Sequence, residues 1–173
     1  MKSAITLIEL LVVIALVGII AGTGWPTLTG WNCKQELRND FELLNNFLEN
    51  ARGEAINRNK TVLVKANRGL PSNGATYLAY LMPNKTCRMS SAAQSLSLQI
   101  PNITISNKSR LYGTPNQCFH SDGSATSSQA LQFHQIQRNC SGKNHSYQTL
   151  VFGATGLFEK KVYFPGTSGY LDL

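Results

Sequence analysis

Ala51-Arg52-Gly53-Glu54-Ala55-Ile56-Asn57-Arg58-Asn59-Lys60-Thr61-Val62-Leu63-Val64 is the stretch in which the chain changes its hydrophobic period. Upstream, Leu37, Phe41, Leu44, Leu48, Ala51 and Ala55 recur at alternating spacings of four and three, the apolar stripe of an amphipathic helix reaching about Asn57. Downstream, residues 61–66, 76–82, 95–100, 130–136, 147–152 and 158–164 have strand length with alternating, β-branched or aromatic content. Turn chemistry between them comes from Pro71-Ser72-Asn73-Gly74, Asp122-Gly123-Ser124, Gly153-Ala154-Thr155-Gly156 and Pro165-Gly166. One long helix followed by strands predicts an α+β fold, the helix covering one face of an antiparallel sheet. The polar helix face, with Glu36, Asp40, Glu42, Glu49 and Glu54, reads equally as a solvated surface or as a subunit contact.

The chain has 173 residues, enough for one globular unit with an appendage. Its 42% hydrophobic and 14% charged content excludes a disordered tail, and no internal repeat is present. The net charge is +7, and from Asn57 onward twelve Lys and Arg face three carboxylates, a net +9. These cations are scattered rather than clustered.

From Leu10 to Asn32 there is no charged side chain. Residues 5–25 supply the roughly 20 apolar positions that a bilayer-spanning helix needs, with one intrusion, Glu9. A charge at membrane depth costs several kcal/mol unless it is paired, so Glu9 calls for a partner. A secretory signal peptide cut near Ala21-Gly22 is the alternative, but such a signal gains nothing from an acid at the start of its apolar run. Gly22-Thr23-Gly24 and Pro26 weaken helical bonding, by about 1 kcal/mol per Gly and about 3 for Pro, and predict a flexible joint.

Met1-Lys2-Ser3-Ala4 followed by Ile5-Thr6-Leu7-Ile8-Glu9-Leu10 and the aliphatic run resembles the processing signal of type IV pilins and type II secretion pseudopilins. The resemblance implies a prepilin leader, 1–4, cut by a prepilin peptidase between Ala4 and Ile5, with methylation of Ile5. It also implies a transmembrane and assembly helix over 5–30, kinked at Pro26, and a periplasmic globular domain over 31–173. The usual Gly before the cut and Phe or Met after it are here Ala4 and Ile5. Independently of the family, the amine freed at Ile5 on one subunit can neutralise Glu9 on its neighbour, a buried pair that fixes register.

Three further blocks are similar to the GspH/FimT/FimU group: residues 51–59 leading into Thr61-Val62-Leu63-Val64, Phe119-His120-Ser121-Asp122-Gly123, and residues 150–156. DNA-binding members of the FimT branch carry Gly-Arg-x-Arg near the C-terminus, and the matching Gly156-Leu157-Phe158-Glu159 lacks both arginines. Lys160 and Lys161 follow, on opposite faces of an alternating strand. With Arg138 and Lys143 they are the candidate DNA contacts.

Cys33, Cys87, Cys118 and Cys140 show no metal-type spacing, so no metal site is expected. Outside the cytoplasm an even count argues for disulfides, with three full connectivities open and free buried thiols as the alternative. Cys118 with Cys140 is favoured, as a staple around the Asp122 turn, and Cys33 with Cys87 remains. His120, His134 and His145 are isolated, with His134 expected half-exposed on a strand, and carboxylates are too scarce for an acid/base pair. Neither catalysis nor a cofactor nor a small-molecule substrate is expected. The resemblance implies a minor pilin of the FimU/FimT kind. It would sit first in the bacterial inner membrane as a single-pass protein, then at the pilus fibre or tip, with other pilins as partners. A DNA-uptake minor pilin and the type II secretion minor pseudopilin H are the alternatives.

Overall fold

The computed structural model describes residues 7–68, 74–83, 87–113, 116–127, 132–166 and 169–173, without the side chains of 22–29, 68 and 127. Ala4 and Ile5, and the side chain of Pro26, lie outside the described residues.

Helix α1, Leu7–Asn57, is continuous. The expected joint at 22–26 does not interrupt its backbone, because helical segments on both sides propagate through a short unfavourable stretch at far less cost than a new nucleus. Its second half buries Leu37, Phe41, Leu44, Leu48, Ala51 and Ala55, each fully, as the period of the stripe predicts.

The strands form two antiparallel sheets where one was expected. In the first, β1 (Thr61–Arg68) pairs with β2 (Ala75–Met82) and β6 (Asn116–Phe119). Sheet A continues with β3 (Gln94–Ser95) and β4 (Ile103–Ile105) on β2, and β7 (Ala125–Ser127) on β6. In the second, sheet B, β8 (Phe133–Cys140) and β9 (Lys143–Val151) form a hairpin flanked by β5 (Arg110–Gly113) and by β10 (Phe158–Tyr163), with β11 (Leu171–Asp172) outermost. The helix packs on both sheets and makes them one core. Phe41 stacks on Tyr147 of β9 at 5.0 Å, and Phe47 lies 6.2 Å from Tyr77 of β2. Phe119 and Phe158 join the sheets edge to face.

Two strand expectations are corrected. Residues 95–100 alternate Ser, Leu, Ser, Leu, Gln, Ile, yet only Gln94–Ser95 pairs as a strand. The amides of Gln99 and Ile100 donate to the Leu96 carbonyl, so Leu96 and Ile100 are buried four apart while Leu98 is 92% exposed. The β8–β9 hairpin is longer than expected and turns on Ser141-Gly142, both at positive φ, the geometry that two-residue hairpin loops require.

Candidate functional site

The first half of α1 is a helix whose apolar side chains are unburied. Ile8, Leu11, Val12, Ile14, Leu16 and Ile20 all stand more than half exposed. Glu9 lies in the first turns of this run, among Leu7, Ile8 and Leu10. Among the described residues no helix is long and apolar enough to cross a membrane.

The second half of α1 carries its carboxylates toward sheet B. Arg138 of β8 is buried; its Nη1 donates to Glu36 at 2.6 Å, its Nε donates to Ser109 at 3.1 Å, and its Nη2 lies 3.6 Å from Asp40. Lys160 of β10 lies 3.6 Å from both Glu42 and Glu49. Glu54 pairs with Arg58 one turn on. The acidic helix face therefore meets cations of its own chain. Burial raises the Asp40 carboxyl above its ordinary value, against the opposing pull of Ser109 and Arg138.

The four candidate DNA contacts are not brought together. Arg138 is inside the core, Lys160 faces α1, and Lys161, on the other face of β10, pairs with Glu159 at 3.1 Å and Asp172 at 3.6 Å. Lys143 is exposed at the hairpin turn. Arg138 was legible only as a cation; its alternation with Ile136 and Cys140 is the signal that it faces inward.

The disulfides are Cys33–Cys140 and Cys87–Cys118, with Cα separations of 5.7 and 5.6 Å. This corrects both expected pairs. Cys118 lies on β6 of sheet A in a small cluster with Leu63 and Met82, whereas Cys140 ends β8 of sheet B beside the helix. The missed signal is that Cys33 stands four residues before Leu37 and extends the helix stripe by one turn.

His134 is also corrected: it is 1% exposed, on the inward face of β8, with its ring 5.9 Å from that of Tyr77. His120 bridges strands, its ring nitrogens meeting Thr61 Oγ1 at 3.1 Å and Thr126 Oγ1 at 2.8 Å. His145 is buried near Lys34 and Lys143, and burial, reinforced by these two cations, lowers its pKa. Among the described residues no three His, Cys, Asp or Glu side chains are grouped to hold a metal.

Arg52 was not singled out by its residue type, yet it ties the three sequence blocks together. Its Nε donates to the Gly123 carbonyl at 3.1 Å and its Nη2 to the Thr155 carbonyl at 2.9 Å. Gly156, at φ +62°, lies directly over the Gly123 carbonyl, where any side chain would collide. Residues 51–59, 119–123 and 150–156 are distant in sequence and meet at this guanidinium.

A helix exposed and apolar at its start, then packed on antiparallel sheets, defines a pilin-like class of protein. Residues 41–156 match the family model of the type II transport protein GspH, and residues 1–25 match the prokaryotic N-terminal methylation motif. The first match covers about two thirds of the chain, which belongs to the GspH family of pilin-like proteins. No curated protein and no solved structure matches it.

Proposed function

We propose that the chain is a minor pilin of the FimU/FimT kind, a structural subunit for pilus assembly, initiation or the tip complex. The carrying observation is the exposed apolar face of α1 over 7–20, continuous with the half that holds the sheets and headed by the methylation motif. Water does not tolerate so many aliphatic side chains along one helix, so lipid first and neighbouring pilin helices afterwards are its fitting surroundings. In this reading residues 5–30 anchor the chain in the inner membrane, with the globular domain periplasmic. The prepilin peptidase cuts between Ala4 and Ile5, and the methylated amine of one subunit meets Glu9 of the next.

Mass spectrometry of membrane-derived protein tests this: the expected species lacks residues 1–4 and is methylated on Ile5. An intact N-terminus, or cleavage near Ala21, overturns it. The type II secretion minor pseudopilin H is the second reading, favoured by the description of the matching family. Crosslinking to pilus subunits or to secretion pseudopilins in the native cell separates the two. The DNA-uptake reading has less support, because three of its four candidate cations are paired with carboxylates.

A further inference from the structure

At the end of the globular body where α1 emerges, Trp31 on the helix and Phe164 after β10 are 59% and 45% exposed. They rim a cavity of about 530 Å³, together with Lys34 and with Lys143 of the β8–β9 turn. Among the described residues no carboxylate lines this cavity and neither lysine is in an ion pair. That distinguishes them from Arg138, Lys160 and Lys161, whose charges are taken up within the chain. Two exposed aromatic side chains beside two unpaired lysines are the residue types that settle at the headgroup level of a bilayer: rings partition into the interface, and ammonium groups seek lipid phosphate.

We propose that this end of the domain is a docking surface for anionic phospholipid headgroups, gripping the membrane through Lys34 and Lys143 with Trp31 and Phe164 inserted at the interface. The proposal rests on the reading of residues 5–30 as a membrane anchor. The distances agree: if the 20 residues after Ala4 fill the hydrocarbon, Trp31 lies some seven residues further on, about 10 Å at 1.5 Å per residue. That is a few Å beyond a headgroup layer roughly 5–8 Å deep, a gap that tilting of the helix closes, and it is within reach of the surface potential. The membrane-bound subunit would thus be held upright by two contacts, the helix within the bilayer and the lysines at its surface. Exchange of lipid for neighbouring subunits would have to release the second.

The test uses the full chain with Trp25→Phe, which leaves Trp31 as the sole tryptophan. It is reconstituted into vesicles of phosphatidylcholine alone, or of phosphatidylcholine with about one third phosphatidylglycerol, carrying bromine near the headgroup end of the acyl chains. Flotation reports the anchor and quenching of Trp31 reports the docking. The expected result is flotation with both vesicles, and quenching that is stronger with phosphatidylglycerol and reversed by high salt. Lys34→Ala with Lys143→Ala should abolish the lipid preference, at roughly fivefold per lysine, whereas the two Lys→Arg changes should keep it. Flotation with Trp31 quenching equal in the two lipids, or unaffected by the alanine changes, overturns the docking surface and leaves the anchor standing. Failure to float with either vesicle overturns both.

Discussion

Arg52 Nε donates to the carbonyl oxygen of Gly123 at 3.1 Å, across 71 residues of sequence. The same side chain reaches Thr155, so one guanidinium holds the β6–β7 turn and the β9–β10 turn against the helix. Arg52→Ala strands two carbonyls and is expected to cost about 2–3 kcal/mol. Arg52→Lys should recover less than half, because a point ammonium cannot match two acceptors as a planar fork does. Urea unfolding of the three proteins measures both effects, and a lysine variant as stable as the parent refutes the fork.

A chain shortened to residues 31–173 keeps the whole apolar stripe and both disulfides, so it should fold as a monomer. Reduction should lower its stability by about 2–5 kcal/mol per bridge. Cys33→Ser with Cys140→Ser should lose more than Cys87→Ser with Cys118→Ser, since the bridges close separations of 107 and 31 residues. Equal losses would show that loop length is not what decides.

Arg138→Ala leaves Asp40 and Glu36 without their cation and should destabilise by about 3 kcal/mol. Adding Asp40→Asn in that background should return part of the loss, because the half-buried carboxylate is then no longer charged. No recovery in denaturation experiments would mean that Arg138 acts by packing alone.

The pH dependence follows from His145, whose folded pKa is lowered below the ordinary imidazole value of about 6.5 by burial, Lys34 and Lys143. The unfolded chain takes up this proton first. The stabilisation is therefore complete above about 6.5 and is lost as pH falls from there through the lowered folded value. His145→Gln should flatten that limb of the stability–pH curve, and an unchanged slope assigns it to other groups.

Duplex DNA at near-physiological salt should bind no more tightly than the 10⁻⁴ to 10⁻⁶ M typical of nonspecific contacts. Submicromolar affinity lost on Lys160→Ala with Lys161→Ala would instead favour a DNA-uptake subunit.

How far the sequence could be read depended on whether burial followed local period. The stripe from Leu37 to Ala55 and strand β2 bury what their spacing says, so they were legible; β1, buried at four successive residues, and β10, half-buried along most of its length, were legible from β-branched and aromatic content. Leu98 misleads because a turn produced the same alternation of Leu and Ser that a strand would. Strands β4 to β7 are three or four residues long, too short to show a period, and exist by pairing with longer neighbours. The exposed apolar run and Glu9 were plain in the residue order. The cysteine pairing was not, because it depends on which sheet each strand joins. Arg138 and His134 looked like surface residues because polar type outweighed their inward register. The helix carboxylates, left open between solvent and partner, turn out to face their own chain.

The Cys33–Cys140 bridge also sets a route for mechanical load. Force applied along the exposed half of α1 enters the globular body near Gly30 and reaches Cys33 before any side chain of the buried stripe. From there a covalent bond carries it to the end of β8, where it spreads through the ladder shared with β9. Pulling the helix out of the fold would therefore load the β8–β9 hairpin through a covalent bond before it could peel the apolar stripe away turn by turn. With the bridge reduced, the same pull would fall first on Leu37 and then on each residue behind it.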